Sequence, residues 1–142
     1  MKRYNVIAVF NKDFTKVLMC KRTKNPYKGK YNFVGGKIEK DDSLEEAYRE
    51  LFEETGITEK DIKLIHFIDM NYLTFNYELE VYYGVLKKKR NLIEEVNKLE
   101  WISTDDDFFN LDKYAGEGNV GHIIEEIKVD VANTVWPGFK EN

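Results

Sequence analysis

Residues 43–57, SLEEAYRELFEETGI, set Glu46, Glu50, Glu53 and Glu54 on adjoining turns of one predicted helix, with Arg49 among them and the pair Gly35-Gly36 just upstream. Leu44, Ala47, Tyr48, Leu51 and Phe52 form a broad apolar stripe on the same helix. A helix patterned this way must dock on a core, which leaves the Glu50, Glu53, Glu54 face pointing away from it. Like charges three or four residues apart cost about 0.2–0.5 kcal/mol each in an isolated helix. Glu53 and Glu54 also stand near the helix C-terminus, where the macrodipole disfavours anions. A hard divalent cation removes both penalties, and Mg²⁺ commonly bridges protein carboxylates to substrate phosphates. The plainer alternative is a surface helix with a solvated acidic face.

The helix carries its own stop signals. Ser43 with Glu46 three residues on reads as a capping box, and Gly56 sits where a left-handed C′ residue is wanted, so the helix is predicted over about 44–55. Around it the chain alternates strand patterns with turns. Residues 4–10 and 16–21 read as a strand pair joined at Asn11-Lys12-Asp13, and residues 25–30, with Pro26 and Gly29, as a loop. Short strands are expected at 31–34, 62–68 and 99–103. Residues 74–85 alternate strictly, with Phe75, Tyr77, Leu79, Val81, Tyr83 and Val85 on one face. A second helix is expected over 120–129, and the acidic triplet Asp105 to Asp107 reads as a helix start before Phe108-Phe109. The basic run 87–90 reads as a solvated turn. Strands mixed with two separated helices indicate an α/β/α sandwich, with a mixed β-sheet between the helices, in one domain spanning residues 1–142.

Composition excludes several classes. A net charge of −4 argues against a nucleic-acid polymer as partner, since that needs clustered positive charge. The single cysteine, Cys20, rules out an intramolecular disulfide and agrees with a cytoplasmic setting. No apolar run approaches the roughly 18 residues that span a membrane, so no membrane association is expected. His66 and His122 have no sequence partner at metal-ligand spacing and carry no assignment. Monomer and homodimer both remain open.

The run from Gly35 to Ile57 resembles the Nudix box: a glycine, a spaced glutamate, then Arg-Glu-apolar-x-Glu-Glu-x-Gly-apolar. Arg49, Glu50, Leu51, Glu53, Glu54, Gly56 and Ile57 match in identity and spacing, and the GGKIE segment matches the usual opening. Counted from Gly36 the run is one residue short; counted from Gly35 the length is right and Asp41 replaces the loop glutamate, with Asp42 as the other substitute. The resemblance implies the Nudix sandwich fold and a hydrolase that needs Mg²⁺ or Mn²⁺. It implies metal ligation by the Gly35 carbonyl, Glu50, Glu53 and Glu54, with Arg49 orienting a glutamate. Glu53, Glu54, Arg49 and Glu95 are then the catalytic group. Glu95 enters because such enzymes carry a further carboxylate on a loop ahead of a strand tryptophan, here Trp101; Glu94 is the neighbouring choice.

The segment Tyr31-Asn32-Phe33-Val34-Gly35-Gly36-Lys37 is similar to that of MutT-like enzymes acting on oxidised purine nucleotides. That likeness implies a nucleotide substrate, a nucleoside triphosphate such as 8-oxo-dGTP, cleaved to the monophosphate and pyrophosphate. Asn32 offers a donor and an acceptor to a base edge, or else caps backbone groups at a strand end. Lys37 is either a phosphate contact or an exposed loop lysine. Phe33 and Tyr27 either stack on a base or pack locally. ADP-ribose or another nucleoside diphosphate linked to a second group is the alternative substrate. A non-catalytic nucleotide sensor is the alternative of another class, although such domains typically lose box glutamates that are present here.

Overall fold

In the computed structural model, residues 1–94 and 97–134 are described. They form a six-stranded mixed sheet and two α-helices. The strands are β1 (Lys2–Phe10), β2 (Lys16–Lys21), β3 (Tyr31–Asn32), β4 (Ile65–Tyr72), β5 (Tyr77–Val85) and β6 (Leu99–Ser103); the helices are α1 (Ser43–Thr55) and α2 (Asn119–Ala132). β1 runs parallel to β5 along its whole length, Lys2 opposite Tyr77 through Phe10 opposite Val85. β4 lies antiparallel outside β5, and β2 pairs with β6 on its far edge.

Alternation along the strands divides the core in two. Ala8 and Phe10 join Leu79, Val81 and Tyr83 against Val120, Ile123, Ile124 and Ile127 of α2. Ile7 and Val9 face the other way, onto Ala47 and Leu51 of α1. The sandwich expected from the strand and helix patterns is therefore present, with one helix on each face.

β1 and β2 touch only near their hairpin, where Phe10 pairs with Val17. Beyond it the two strands part, and β3 with residues 34–38 fills the gap. Cys20 pairs with Asn32, and then the Ile7 N–H donates to Val34 O at 2.8 Å, Asn5 N–H to Gly36 O at 2.8 Å, and Ile38 N–H to Arg3 O at 2.9 Å. Gly35 sits in this seam with φ 149°, and a Cβ there would collide with the Asn5 carbonyl. Only glycine fits so close to a neighbouring backbone.

Several boundaries differ from the sequence reading. Ser43 does not cap α1: the Asp42 carboxylate accepts the Glu45 N–H at 3.1 Å, so the helix starts one residue earlier. Glu46 is drawn away from a capping box because Arg49 and two upstream backbone amides hold it. Leu44 and Phe52 are exposed, which narrows the docked stripe to Ala47, Leu51 and the partly buried Tyr48. β4 begins at Ile65 because Ile62 is instead held in an isolated bridge to Leu86. A turn of 3₁₀ helix, Leu73–Phe75, with Asn76 left-handed, separates β4 from β5 and excludes Phe75 from the alternating face. Asp105 to Asp107 form turns rather than a helix start, since Asp107 accepts the Phe109 N–H and Asp106 is taken by Lys113 and Tyr114. In the basic run, Arg90 is not simply solvated: it pairs with Asp61 at 3.0 Å and donates to the Gly56 carbonyl. No helix among the described residues is long and apolar enough to cross a membrane.

Gly35→Ala is expected to destabilise the fold by at least about 2 kcal/mol, because a methyl group there must displace residues 34–36 from β1. Urea unfolding measures this; an unchanged midpoint contradicts the seam described.

Candidate active site

The parting of β1 and β2 lets the C-terminal half of α1 approach the glycine pair. The Gly35 N–H donates to Glu54 Oε2 at 3.2 Å. A Cβ on Gly36 would lie 2.7 Å from the Glu50 carboxyl atoms, so the second glycine is also required by a close approach. Gly36 is held from below by Asn5, whose Oδ1 accepts its N–H at 3.0 Å. That bond fixes which end of the Asn5 amide is oxygen. Among the described residues, the buried Asn5 Nδ2 has no hydrogen-bond partner. Asn5 lies outside the Nudix-like run, and no local sequence signal marks it; only the pairing of β1 with residues 34–38 brings it here.

Arg49 serves three glutamates. Its Nε donates to Glu46 Oε2 at 2.8 Å, its Nη1 to Glu53 at 3.0 Å, and its Nη2 lies 3.4 Å from Glu50. Glu46 is 2% exposed and also accepts the Glu39 N–H at 2.8 Å and the Lys40 N–H at 3.2 Å. The Arg49 hydrogen bond, followed by these amides, holds its carboxyl down at about 2. Glu46 is thus the residue that clamps the loop before α1 to the helix, a role the sequence reading did not assign. The Arg49 guanidinium is itself pushed further into its charged form by Glu46.

Glu54 behaves in the opposite sense. Burial pushes its carboxyl up to about 8, with the Gly35 N–H opposing and the Glu50 charge adding to the rise. Burial likewise raises Glu50. Glu50 stands 3.4 Å from the Arg49 guanidinium and Glu54 accepts only the neutral Gly35 N–H among the described residues, so the two partly buried carboxyls form a donor set deficient in positive charge. All-oxygen donors of this kind fit a hard divalent ion.

The other sequence-predicted residues fall at three places. Asn32 lines the same cavity as Glu54, Gly35 and Gly36, and its Oδ1 accepts the Phe33 N–H at 2.8 Å, the strand-end capping weighed above. Phe33 is 4% exposed and packs in the α2-side core, so it forms a wall of the cavity and is not free to stack on a ligand. Lys37 is exposed, paired with Tyr4 across an isolated bridge, and does not line the cavity. Glu95 lies outside the described residues. Its neighbour Glu94 caps β6 by accepting the Leu99 N–H at 2.8 Å.

The cavity measures about 1070 Å³. From Glu54 and the glycine pair it extends to an aromatic wall of Tyr4, Tyr27, Tyr72 and Tyr77, with Asn97 and Asn119 alongside. Tyr72 stacks on Tyr77 at 4.7 Å, Tyr4 meets Tyr77 edge-on at 5.8 Å, and Asn119 Nδ2 donates to the Tyr72 hydroxyl at 2.6 Å. Cys20 also lines it, but burial pushes the thiol up to about 12, which leaves no reactive thiolate near neutral pH.

A mixed sheet thus lies between two helices, with Glu50 and Glu54 brought against a glycine turn and Glu54 at one end of the cavity. The NUDIX domain family matches residues 1–119, and the chain belongs to that family. It is a Nudix hydrolase, an enzyme of phosphoanhydride bonds. None of the curated protein sequences matches the chain significantly. Among solved structures it resembles the NUDIX domain of Shewanella oneidensis NrtR complexed with ADP ribose, at 17% identity and TM-score 0.72, with 91% of this chain and 87% of that one covered. It also resembles a C. elegans Ap4A hydrolase, at 14% identity and TM-score 0.74 over 94% and 100% of the two chains. MutT from Aliivibrio salmonicida and Vibrio cholerae follows at 20% identity and TM-score 0.66, over 91% and 98%. At these identities the likeness is one of fold.

The folded state holds the Glu54 proton to higher pH than the unfolded chain does. Its contribution to stability is therefore full below the ordinary carboxyl value of 4.5 and is lost as pH rises through about 8. Metal-free protein is expected to lose several degrees of Tm across that range, and Glu54→Gln to flatten the loss. Identical slopes in the two proteins contradict the buried-carboxyl assignment. Because a ligand must lose its proton, Mn²⁺ affinity is expected to rise with pH over the same interval.

Proposed function

We propose that the protein is a Mg²⁺- or Mn²⁺-dependent pyrophosphohydrolase that cleaves a purine nucleoside triphosphate to the monophosphate and pyrophosphate. The observation that carries this reading is the continuity of one cavity between the Glu54–Gly35 end and the wall of asparagines and tyrosines. A nucleotide needs both ends: carboxylates for a metal that serves the phosphates, and flat apolar surface with polar groups for a base.

Glu50, Glu53, Glu54 and the Gly35 carbonyl would hold the metal. Bound there, a divalent ion supplies neutralisation of phosphoryl charge and a more acidic water. Arg49 keeps Glu53 and Glu50 oriented, and Glu46 anchors Arg49 in turn. Glu95, by its place ahead of Trp101, is the proposed base that accepts the water proton. Asn32 is the proposed reader of the base. With its Oδ1 engaged by Phe33, it has two N–H donors to offer, which suits acceptor atoms on a purine edge such as guanine O6 and N7. Lys37 is the proposed phosphate contact only after a loop movement, and Phe33 contributes by fixing Asn32.

A second reading keeps the chemistry and changes the substrate to ADP-ribose or another nucleoside diphosphate carrying a second group. The cavity, at about 1070 Å³, stands at the upper end of the range for small-molecule sites and has room for such a second group.

Activity is expected to vanish in excess chelator and to fall at least about a hundredfold in Glu53→Gln or Glu54→Gln, through loss of several kcal/mol of transition-state stabilisation. Full turnover without metal excludes the mechanism. Glu95→Gln is expected to lower kcat more than it raises KM; if Glu94→Gln alone is crippled, the base lies one residue earlier. In a substrate panel, purine triphosphates, with an oxidised guanine form foremost, are expected to exceed ADP-ribose in kcat/KM. Asn32→Ala is expected to flatten base preference by about tenfold, the loss of a hydrogen bond to the base edge. ADP-ribose well ahead of every triphosphate selects the second reading.

A further inference from the structure

β4 carries a bulge between His66 and Ile68. In an unbroken strand, residues three apart face opposite sides of the sheet. The extra residue turns Phe67 and Ile68 together toward the α2-side core, and leaves His66 and Asp69 side by side on the other face. There His66 Nε2 lies 2.6 Å from Asp69 Oδ1. β5 lies opposite in register, Tyr82 across from His66 and Glu80 across from Asp69. One ligand atom from each of His66, Asp69 and Glu80 falls within 4.8 Å of the other two.

We propose that His66, Asp69 and Glu80 form a second metal site, for a divalent transition ion of the Zn²⁺ type, separate from the glutamates of α1. The donor set distinguishes the two. Imidazole favours Zn²⁺, Ni²⁺ and Cu²⁺, whereas carboxylate and carbonyl oxygens alone suit Mg²⁺ and Mn²⁺. One histidine and two carboxylates also give Zn²⁺ three protein ligands, with solvent to complete the tetrahedron.

Glu80 is held in the way a ligating carboxylate requires. Glu80 is 4% exposed, and its Oε2 accepts from Arg3 at 2.6 Å and from Ser43 at 3.2 Å. Its Oε1 accepts the Tyr82 hydroxyl at 2.9 Å and keeps a second lone pair for an ion. Tyr82 also stacks on the His66 ring at 4.5 Å, fixing its plane. Arg3 is the cation already present, yet it faces Glu78 at 3.6 Å as well as Glu80. With Asp69, three carboxylates stand against one guanidinium, so the patch retains negative charge for a dication. His66 and Asp69, at the outer side, are exposed and free to open from 2.6 Å to the wider spacing that a shared ion demands.

Ser43 places this patch at the first turn of α1. Glu54 lies eleven residues further on, about 16 Å along the helix axis. An ion held at His66 would tie β4 to β5 and, through Glu80, to Arg3 of β1 and the start of α1. It would act on stability rather than on hydrolysis.

Isothermal titration with Zn²⁺, in millimolar Mg²⁺ to fill the α1 glutamates, tests the site on the full chain. One Zn²⁺ per chain is expected for wild type and for Glu54→Gln, with affinity falling at least about tenfold in His66→Ala and in Asp69→Asn. Added Zn²⁺ is expected to raise Tm in wild type and not in His66→Ala. Both altered side chains are exposed, and circular dichroism confirms that each variant folds. Wild-type Zn²⁺ binding in both His66→Ala and Asp69→Asn overturns the proposal. So does binding lost in Glu54→Gln and kept in His66→Ala, or no Zn²⁺ binding once Mg²⁺ is present.

Discussion

Gly35 and Gly36 stand between β1 and the acidic end of α1, and the absence of two methyl groups is what allows the meeting. On one side Gly35 lies against the Asn5 carbonyl; on the other Gly36 faces the Glu50 carboxyl, and the Gly35 N–H reaches Glu54. The geometry of the seam follows. Because β1 and β2 separate after Val17, residues 34–38 have an edge of β1 to pair with, and their hydrogen bonds set the turn in register with the helix. The helix itself is held at the proper depth by Ala47 and Leu51, both fully buried.

Electrostatics then works against the fold at the place where function is proposed. Glu46, satisfied by Arg49 and two amides, is ionised down to about pH 2 and anchors the loop. Glu50 and Glu54, only steps away on the same helix, are partly buried without equal compensation and hold their protons more tightly than free carboxyls. One guanidinium cannot neutralise four glutamates. The imbalance suits a site completed by something outside the chain, and it separates Glu46, a structural glutamate, from the proposed metal ligands although all share one helix.

Much of this was legible in the sequence, and the reasons are local. The 3.6-residue spacing gave α1, Gly56 gave its left-handed end, and strict alternation from Tyr77 to Val85 gave β5 and its α2-facing side. Leu99–Ser103 was legible for the same reason. What escaped depends on partners distant in the chain. Ser43 looks like a cap until Arg3 and Glu80, contributed by β1 and β5, claim its hydroxyl and Asp42 takes its place. Phe33 reads in sequence as a core residue or a stacking one, with core packing the more frequent fate, and α2 closing over it makes it core. His66 has no partner at metal spacing along the chain, and only a bulge and the register of β4 on β5 bring Asp69 and Glu80 beside it. Asn5, between two apolar strand neighbours, carries no signal at all.

The central claim is that Glu50 and Glu54, held under the glycine pair, are a metal site. Crystals soaked in Mn²⁺ and measured for anomalous scattering test it without reference to substrate. The account requires a peak within about 2.0–2.2 Å of carboxylate oxygens from both residues, the bond length expected for hard octahedral ions. A strong peak elsewhere on the protein, with none between α1 and Gly35, would contradict it.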